Sequence, residues 1–177
     1  MGVIYRAADD VAELLIPFIV AHNGIRDPRR IGELYRDASL GKSSPDRFWR
    51  AVGLRPGVED AFLDGHRLSA GVCEALDALR TRGHTLWGFS NDVARWSQKL
   101  RTRFDLERRF SGFVVSSDIR ARKPDASAYR ALLARVGRKP DEILFVDDRE
   151  ANIVAAAGHG IDARLFAGFD ALLEWVR

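Results

Sequence analysis

Asp147 and Asp148 stand side by side directly after the apolar run from Ile143 to Val146. Two carboxylates at the point where a strand leaves a sheet are hard oxygen ligands. Mg²⁺ takes one or two such groups from a protein and fills its octahedron with water and phosphate oxygens. The same pair has a plainer use, because Asp accepts hydrogen bonds from the free amides of a helix's first turn. Lys123 lies in Arg122-Lys123-Pro124-Asp125, ahead of a helix that Pro124 opens. There an ammonium can hold a phosphoryl group as a point charge, or simply meet water. Ser90 ends another apolar run and precedes a helix, so its hydroxyl and the free amides beside it can hold an anion or cap that helix. Each residue alone leaves both readings open, and only their convergence on one place decides between them.

Such convergence requires a particular arrangement of elements. From Asp9 to about Leu68 the pattern is helical throughout: Val11, Leu14, Leu15 and Phe18 recur at helical spacing, and Ile31, Leu34 and Tyr35 do so again. Ser44-Pro45-Asp46 opens a third segment carrying Phe48, Trp49 and Val52, with Ser44 as N-cap and Pro45 at the first helical position. A short fourth helix spans Val58 to Leu63. Beyond Ser69-Ala70-Gly71 strands alternate with helices. The expected strands are His84 to Phe89, Phe113 to Val115, Ile143 to Val146 and a last one near Ala163 to Phe166. The expected helices are Val72 to Arg82, Val93 to Arg103, Pro124 to Val136 and one running through Ala157. This alternation predicts βαβ units and a parallel sheet, in which ligands bind at the carboxyl ends of the strands. Ser90-Asn91-Asp92, Lys123 beyond Ser116-Ser117-Asp118, and Asp147-Asp148 then face one cleft.

Composition narrows the function classes. At 177 residues, 46% hydrophobic and 30% charged, the chain has globular rather than fibrous or disordered character. Leu14 to Val20, interrupted by Pro17, is far too short to span a bilayer, and no secretory signal can be drawn after Met1, so a cytoplasmic location without membrane partners is expected. Cys73 is the lone cysteine, which excludes internal disulfides and cysteine-rich zinc sites. Of the 28 cationic residues 24 are Arg, spread from Arg6 to Arg177, and a nucleic-acid footprint would be clustered instead. The arginine-rich stretch from Arg101 to Arg109 reads as a solvated helix end anchored by Phe104 and Leu106. His22, His66, His84 and His159 lack metal-ligand spacing, and the oligomeric state is not legible.

The combined pattern resembles the haloacid dehalogenase-like (HAD) superfamily, in the group with a helical cap inserted after the first strand. The resemblance runs through Ala38-Ser39-Leu40-Gly41 to Phe48-Trp49, then Gly88-Phe89-Ser90-Asn91-Asp92, Arg122-Lys123-Pro124-Asp125, and Phe145-Val146-Asp147-Asp148-Arg149-Glu150-Ala151-Asn152. It implies an α/β fold, a Rossmann-like parallel sheet core formed by residues 1–8 and 69–177, with a helical cap over residues 9–68. It further implies a Mg²⁺-dependent hydrolase acting on a small anionic substrate, a phosphorylated metabolite or less readily a haloacid. In that scheme Ser90 bonds the transferring phosphoryl oxygen with Asn91 beside it, and Lys123 neutralises the phosphoryl group. Asp147, helped by Asp148, forms the Mg²⁺ site. Such enzymes work through a covalent aspartyl intermediate that water resolves.

The chain departs from this family at its first motif, an apolar strand ending in Asp-x-Asp. The apolar stretch before the cap is Gly2-Val3-Ile4-Tyr5, and laid on the motif it puts Arg6 at the nucleophile and Ala8 at the acid and base. Three explanations stand. The chain lacks the nucleophile and binds an anion or a protein without hydrolysing anything, with Arg6 paired to Asp147 or Asp148. Alternatively, Met1 lies downstream of the true start and Gly2 to Tyr5 belongs to the linker into the cap. In the third, Asp9 or Asp10 serves as a displaced nucleophile. A receiver domain also carries acidic pairs and a Lys at strand ends, but its acidic pair falls near the chain start and it has no helical insertion.

Overall fold

The computed structural model describes residues 2–176. Among them no helix is long and apolar enough to cross a membrane. A turn of π-helix at Val11–Leu15 leads into α1 (Ile16–Ala21), followed by α2 (Pro28–Ser39), α3 (Pro45–Ala51) and α4 (Glu59–Leu63). Local chemistry sets their starts. Asp27 accepts from the amides of Arg29 and Arg30 ahead of Pro28, and Ser44 accepts from Arg47 ahead of Pro45. α2 buries Ile31, Tyr35, Ala38 and Ser39, a stripe at helical spacing.

This stripe joins Leu15, Ile19, Phe48, Trp49, Val52, Phe62 and Leu63 in one apolar cluster, which also takes in Val93, Trp96 and Leu100 from the opposite half of the chain. A buried carboxylate ties the two halves there. Glu59 accepts from the indoles of Trp49 at 3.2 Å and Trp96 at 2.7 Å, and pairs with Arg95 at 2.6 Å and Lys99 at 3.0 Å.

The second half runs α5 (Val72–Thr81), β1 (Trp87–Ser90), α6 (Ala94–Arg103), β2 (Gly112–Val115), α7 (Ser116–Ile119), α8 (Ala126–Val136), β3 (Leu144–Asp147), α9 (Glu150–Ala157), β4 (Asp162–Leu165) and α10 (Phe169–Trp175). β1 pairs with β2 in parallel, Trp87 opposite Gly112 through Ser90 opposite Val115. β3 pairs with β4 in parallel, Leu144 opposite Asp162 through Asp147 opposite Leu165. The glycines in the first pair leave room for rings lying across the strands. A Cβ on Gly88 would fall 2.4 Å from the Phe113 ring, and one on Gly112 would fall 2.4 Å from the Trp87 ring.

The α/β class and the parallel pairing agree with the sequence pattern, but the strand expected at Gly2 to Tyr5 is not formed. Its backbone groups bond elsewhere: Gly2 N–H donates to Ala7 O, Arg6 N–H to Arg67 O, and Ser69 N–H to Ile4 O. Tyr5 makes only an isolated antiparallel bridge with Leu68. The two strand pairs are therefore separate two-stranded sheets among the described residues, held to one core by side chains. Phe145, Val114, Tyr129 and Leu132 are buried together, with Phe89 packed against them. The Phe89 ring lies 6.0 Å from that of Phe145 and 5.6 Å from that of Tyr129.

Candidate active site at the strand ends

β1 and β3 deliver Ser90 and Asp147 at their carboxyl ends, and the stretch between α7 and α8 delivers Lys123 between them. The Lys123 ammonium donates to Phe89 O and to Asp147 Oδ2, each at 2.7 Å. Both side chains of this ion pair are over nine-tenths buried, at 8% and 6% exposure. Asn91 fixes the lysine's backbone, accepting from Lys123 N–H and donating to Lys123 O, both at 2.8 Å. Asp147 Oδ1 accepts from the Arg149 amide at 2.9 Å and from Asn152 Nδ2 at 2.8 Å.

The electrostatics follow from this wiring. Burial would raise the Asp147 pKa, but the Lys123 charge and the donors around it hold the carboxyl below its ordinary value. Burial lowers the Lys123 pKa, and Asp147 partly offsets that. Asp148 is half-buried, and none of its oxygens finds a hydrogen bond or ion pair among the described residues. Among those residues no cluster of three or more His, Cys, Asp or Glu side chains could hold a metal. The chain thus offers a divalent cation two carboxylates, Asp147 already engaged and Asp148 without a partner among the described residues, a donor set that fits the one or two carboxylates Mg²⁺ takes from proteins.

The structure brings Lys123, Asn91 and Asp147 into direct contact, with Ser90 next to the Asn91 and Phe89 groups that Lys123 touches. It does not bring Arg6 there. That side chain is exposed, and the ion-pair partner of Asp147 is Lys123, so the expected Arg6 pairing with the acidic pair is corrected. Asp9 caps the first helix through the Ala12 amide at 3.1 Å and lies 3.5 Å from Arg149. The Arg101 to Arg109 stretch is spent on acids: Arg103 meets Asp64 at 2.7 Å, Arg109 meets Asp77 at 2.8 Å, and Arg108 pairs with Asp105.

Other groups at the site gave no sequence signal. The Tyr35 hydroxyl donates to Asn91 O at 3.1 Å, although its spacing marks it only as a core position of α2. The Ser116 hydroxyl donates to Ser39 O at 2.6 Å, and Arg122 reaches the Ser39 hydroxyl. The α2 end sits so close that a Cβ on Gly41 would fall 2.4 Å from Ser117 O. Asp92 is fully buried, and burial together with the charge of Asp10 raises its pKa to about 7. Asp10 is raised as well, chiefly by burial. The charge of a carboxyl from the helical half thus bears on a buried carboxyl of the α/β half, a coupling that no spacing rule shows.

Comparison with known proteins follows this geometry. The family model of haloacid dehalogenase-like hydrolases matches residues 6–160. A phosphoglycolate phosphatase of Haemophilus influenzae is 30% identical over 94 residues, 53% of this chain and 42% of that protein. A flavin mononucleotide hydrolase of Arabidopsis thaliana is 25% identical over 118 residues, 67% of this chain and 48% of that protein. The matched chain therefore spans less than half the length of these curated relatives. Among solved structures, a HAD-family enzyme of Bacteroides thetaiotaomicron in complex with magnesium superposes with a TM-score of 0.81 at 19% identity, covering 100% of this chain and 95% of that one. That likeness concerns the fold.

Proposed function

The chain belongs to the haloacid dehalogenase-like hydrolase family, and from that premise we propose that its cleft binds the phosphoryl group of a small phosphorylated metabolite for Mg²⁺-assisted hydrolysis. The observation that carries the reading is the buried Lys123 ammonium, held between Phe89 O and Asp147 at the point where β1 and β3 end. An ammonium so placed meets an anionic oxygen without having to be ordered first. Ser90 would donate its hydroxyl to a second phosphoryl oxygen, with Asn91 keeping Lys123 in place. Asp147 and Asp148 would hold Mg²⁺, which when bound neutralises charge on the phosphoryl oxygens. Residues 9–68 would act as a cap, with Tyr35 and Ser39 seated on the strand ends and shaping the entrance. The curated relatives act as phosphatases, which supports a phosphate ester over a haloacid.

In this reading Arg6 and Ala8 have no carboxylate to attack with, and Asp9 is occupied as a helix cap. Asp10, the other candidate for a displaced nucleophile, has its pKa raised chiefly by burial, which favours the uncharged, non-nucleophilic form. These observations favour a second reading, in which the site binds an anion without turning it over. Phosphate release from an aryl phosphate, measured with Mg²⁺ and again with EDTA, separates the two. Metal-dependent release that Lys123→Met abolishes supports the hydrolase. Absence of release, with inorganic phosphate binding that Lys123→Met abolishes, supports the anion-binding module, and absence of both defeats the site.

A further inference from the structure

We propose that Arg122 reads a second anionic group on the substrate, a carboxylate set apart from the phosphoryl group by a short carbon chain. This inference rests on the reading of Lys123 as the phosphoryl-binding cation. It adds a specificity-determining residue and a substrate class, a phosphorylated carboxylic acid.

Its ground is an imbalance of charge. Five arginines among the described residues are buried or half-buried: Arg95, Arg101, Arg109, Arg122 and Arg164. Four of them have a carboxylate within 3.8 Å, Arg95 that of Glu59, Arg101 that of Glu107, Arg109 that of Asp77 and Arg164 that of Asp162. Arg122 forms no ion pair among the described residues. Its guanidinium meets the Ser39 and Tyr35 hydroxyls and, 5.5 Å away, the Tyr35 ring, all of them neutral. The carboxyls that bear on Tyr35 are Asp10 and Asp92. Burial holds both toward their uncharged form, so neither supplies a full counter-charge. A guanidinium keeps its charge at any working pH, and a charge withdrawn from water without a counter-ion is costly. An anion brought by the ligand removes the imbalance.

Position indicates the kind of ligand. Arg122 and Lys123 are consecutive, yet their side chains diverge: the ammonium turns to Phe89 O and Asp147, the guanidinium to Ser39 at the end of α2. The two remain linked, because the Tyr35 hydroxyl beside Arg122 donates to Asn91 O, and Asn91 follows Ser90 and brackets the Lys123 backbone. Two diverging cations on one wall call for two anionic groups on one molecule. The planar fork of a guanidinium matches a carboxylate bidentately. Charge balance favours that group over a second phosphate, which carries about −1.5 to −2 against a single positive charge.

The test is calorimetry on the 177-residue chain in buffer containing Mg²⁺, with three probes that are not esters. Methylphosphonate offers a phosphoryl-like group alone, phosphonoacetate adds a carboxylate, and methylenediphosphonate adds a second phosphonate. Phosphonoacetate should bind at least about tenfold more tightly than methylphosphonate, as one charge-assisted pair provides. Arg122→Gln should abolish that preference while changing methylphosphonate affinity by less than about twofold, which also shows that the variant is folded. Arg122→Lys should keep part of the preference as a point charge. Arg149→Gln, which removes an exposed side-chain charge beside Asp147 and Asp148, should keep it in full. A preference that survives Arg122→Gln, or is lost equally in Arg149→Gln, overturns the proposal. Equal weakening of both phosphonates by Arg122→Gln does so too, since a mere staple between Ser39 and the strand ends would act that way. A diphosphonate bound more tightly than phosphonoacetate overturns the carboxylate assignment. Methylphosphonate binding that Lys123→Met abolishes, with no preference in the unsubstituted chain, removes the Arg122 subsite alone, whereas no binding of any probe removes the phosphoryl site beneath it as well.

Discussion

Asp147→Asn should destabilise the fold more than Lys123→Met, although both break the same buried ion pair. The pair lies 2.7 Å apart with 8% and 6% exposure, and removing one member of such a pair typically costs about 3–5 kcal/mol because the other charge stays buried and alone. What each survivor retains decides the order. After Asp147→Asn the ammonium keeps Phe89 O as its charge-free acceptor, with nearby carboxylates acting only at a distance, so a loss near the full 3–5 kcal/mol is expected. After Lys123→Met, Asp147 still accepts from the Arg149 amide and from Asn152 at 2.9 and 2.8 Å, each charge-assisted bond being worth about 1.5–3 kcal/mol. The expected loss is then roughly 1–3 kcal/mol. The double variant removes both charges, so its loss should fall short of the sum of the singles by about 1–3 kcal/mol, as residues in contact do. Urea unfolding followed by far-ultraviolet circular dichroism, with common slopes across the variants, measures all three. Equal single losses, or a strictly additive double, would refute the assignment of Lys123 and Asp147 as a coupled pair with asymmetric backing.

Asp92 sets a pH dependence of definite sign. Its folded pKa of about 7 lies above the ordinary carboxyl value of 3.8, so the folded state holds the proton more tightly and stability falls as pH rises from about 4 to about 7, by up to about 4 kcal/mol. Asp92→Asn should flatten that window in urea titrations at successive pH values; an unchanged slope would show that another group carries it. Glu59→Gln removes the charge that Arg95 and Lys99 pair with, and if its carbonyl keeps the two indoles and Arg95 at the Oε2 position, its amide nitrogen faces the Lys99 ammonium. Because Arg95 and Lys99 are 40% exposed and can turn to water, the loss should be about 2–4 kcal/mol rather than the sum of every bond, read from the thermal midpoint. Gly41→Ala meets Ser117 O at 2.4 Å in a backbone with φ +67°, so α2 should lift from the strand ends. A loss of about 1–3 kcal/mol is expected, together with faster exchange of the Ser117 region, while a neutral outcome would mean that the contact is loose.

The alternation of elements was legible because each strand and helix of the second half carries its own periodicity and its own stop signals. Gly137 closes α8 in the left-handed conformation, and Ser44-Pro45 opens α3 as its residue types demand. Such signals are local, and they place a boundary within a residue or two. Observed β1 begins at Trp87 rather than His84, since the residues from His84 to Thr85 are exposed and nothing pairs with them in a ladder. α10 was not read, although Phe169, Leu172 and Leu173 stand at helical spacing; none of its residues is fully buried, and it packs against α5.

The strand expected at Gly2 to Tyr5 failed for a related reason. Four apolar residues fix a β-prone stretch but not its partner, and a strand exists only when a neighbour completes its ladder. Here the carbonyl of Ile4 and the amide of Arg6 find Ser69 and Arg67, at the junction where the helical half returns to the α/β half. That competition also explains which part of the site the sequence could show. Ser90, Asn91, Lys123 and Asp147 are each placed by the end of their own strand or the start of their own helix, so their types and spacing suffice. Tyr35 reaches the site, and Asp10, which the sequence offered only as a displaced nucleophile, bears on Asp92 by its charge, because the helical half folds back onto β1 and α6 through the Trp49, Glu59 and Trp96 network. If that network fixes the distance between Asp10 and Asp92, then Glu59→Gln should move the Asp92 titration toward 3.8 as well as lower stability. Carboxyl-carbon NMR titration of Asp92 in the two proteins tests this, and an unshifted Asp92 in a destabilised variant would show that the two halves are held together elsewhere.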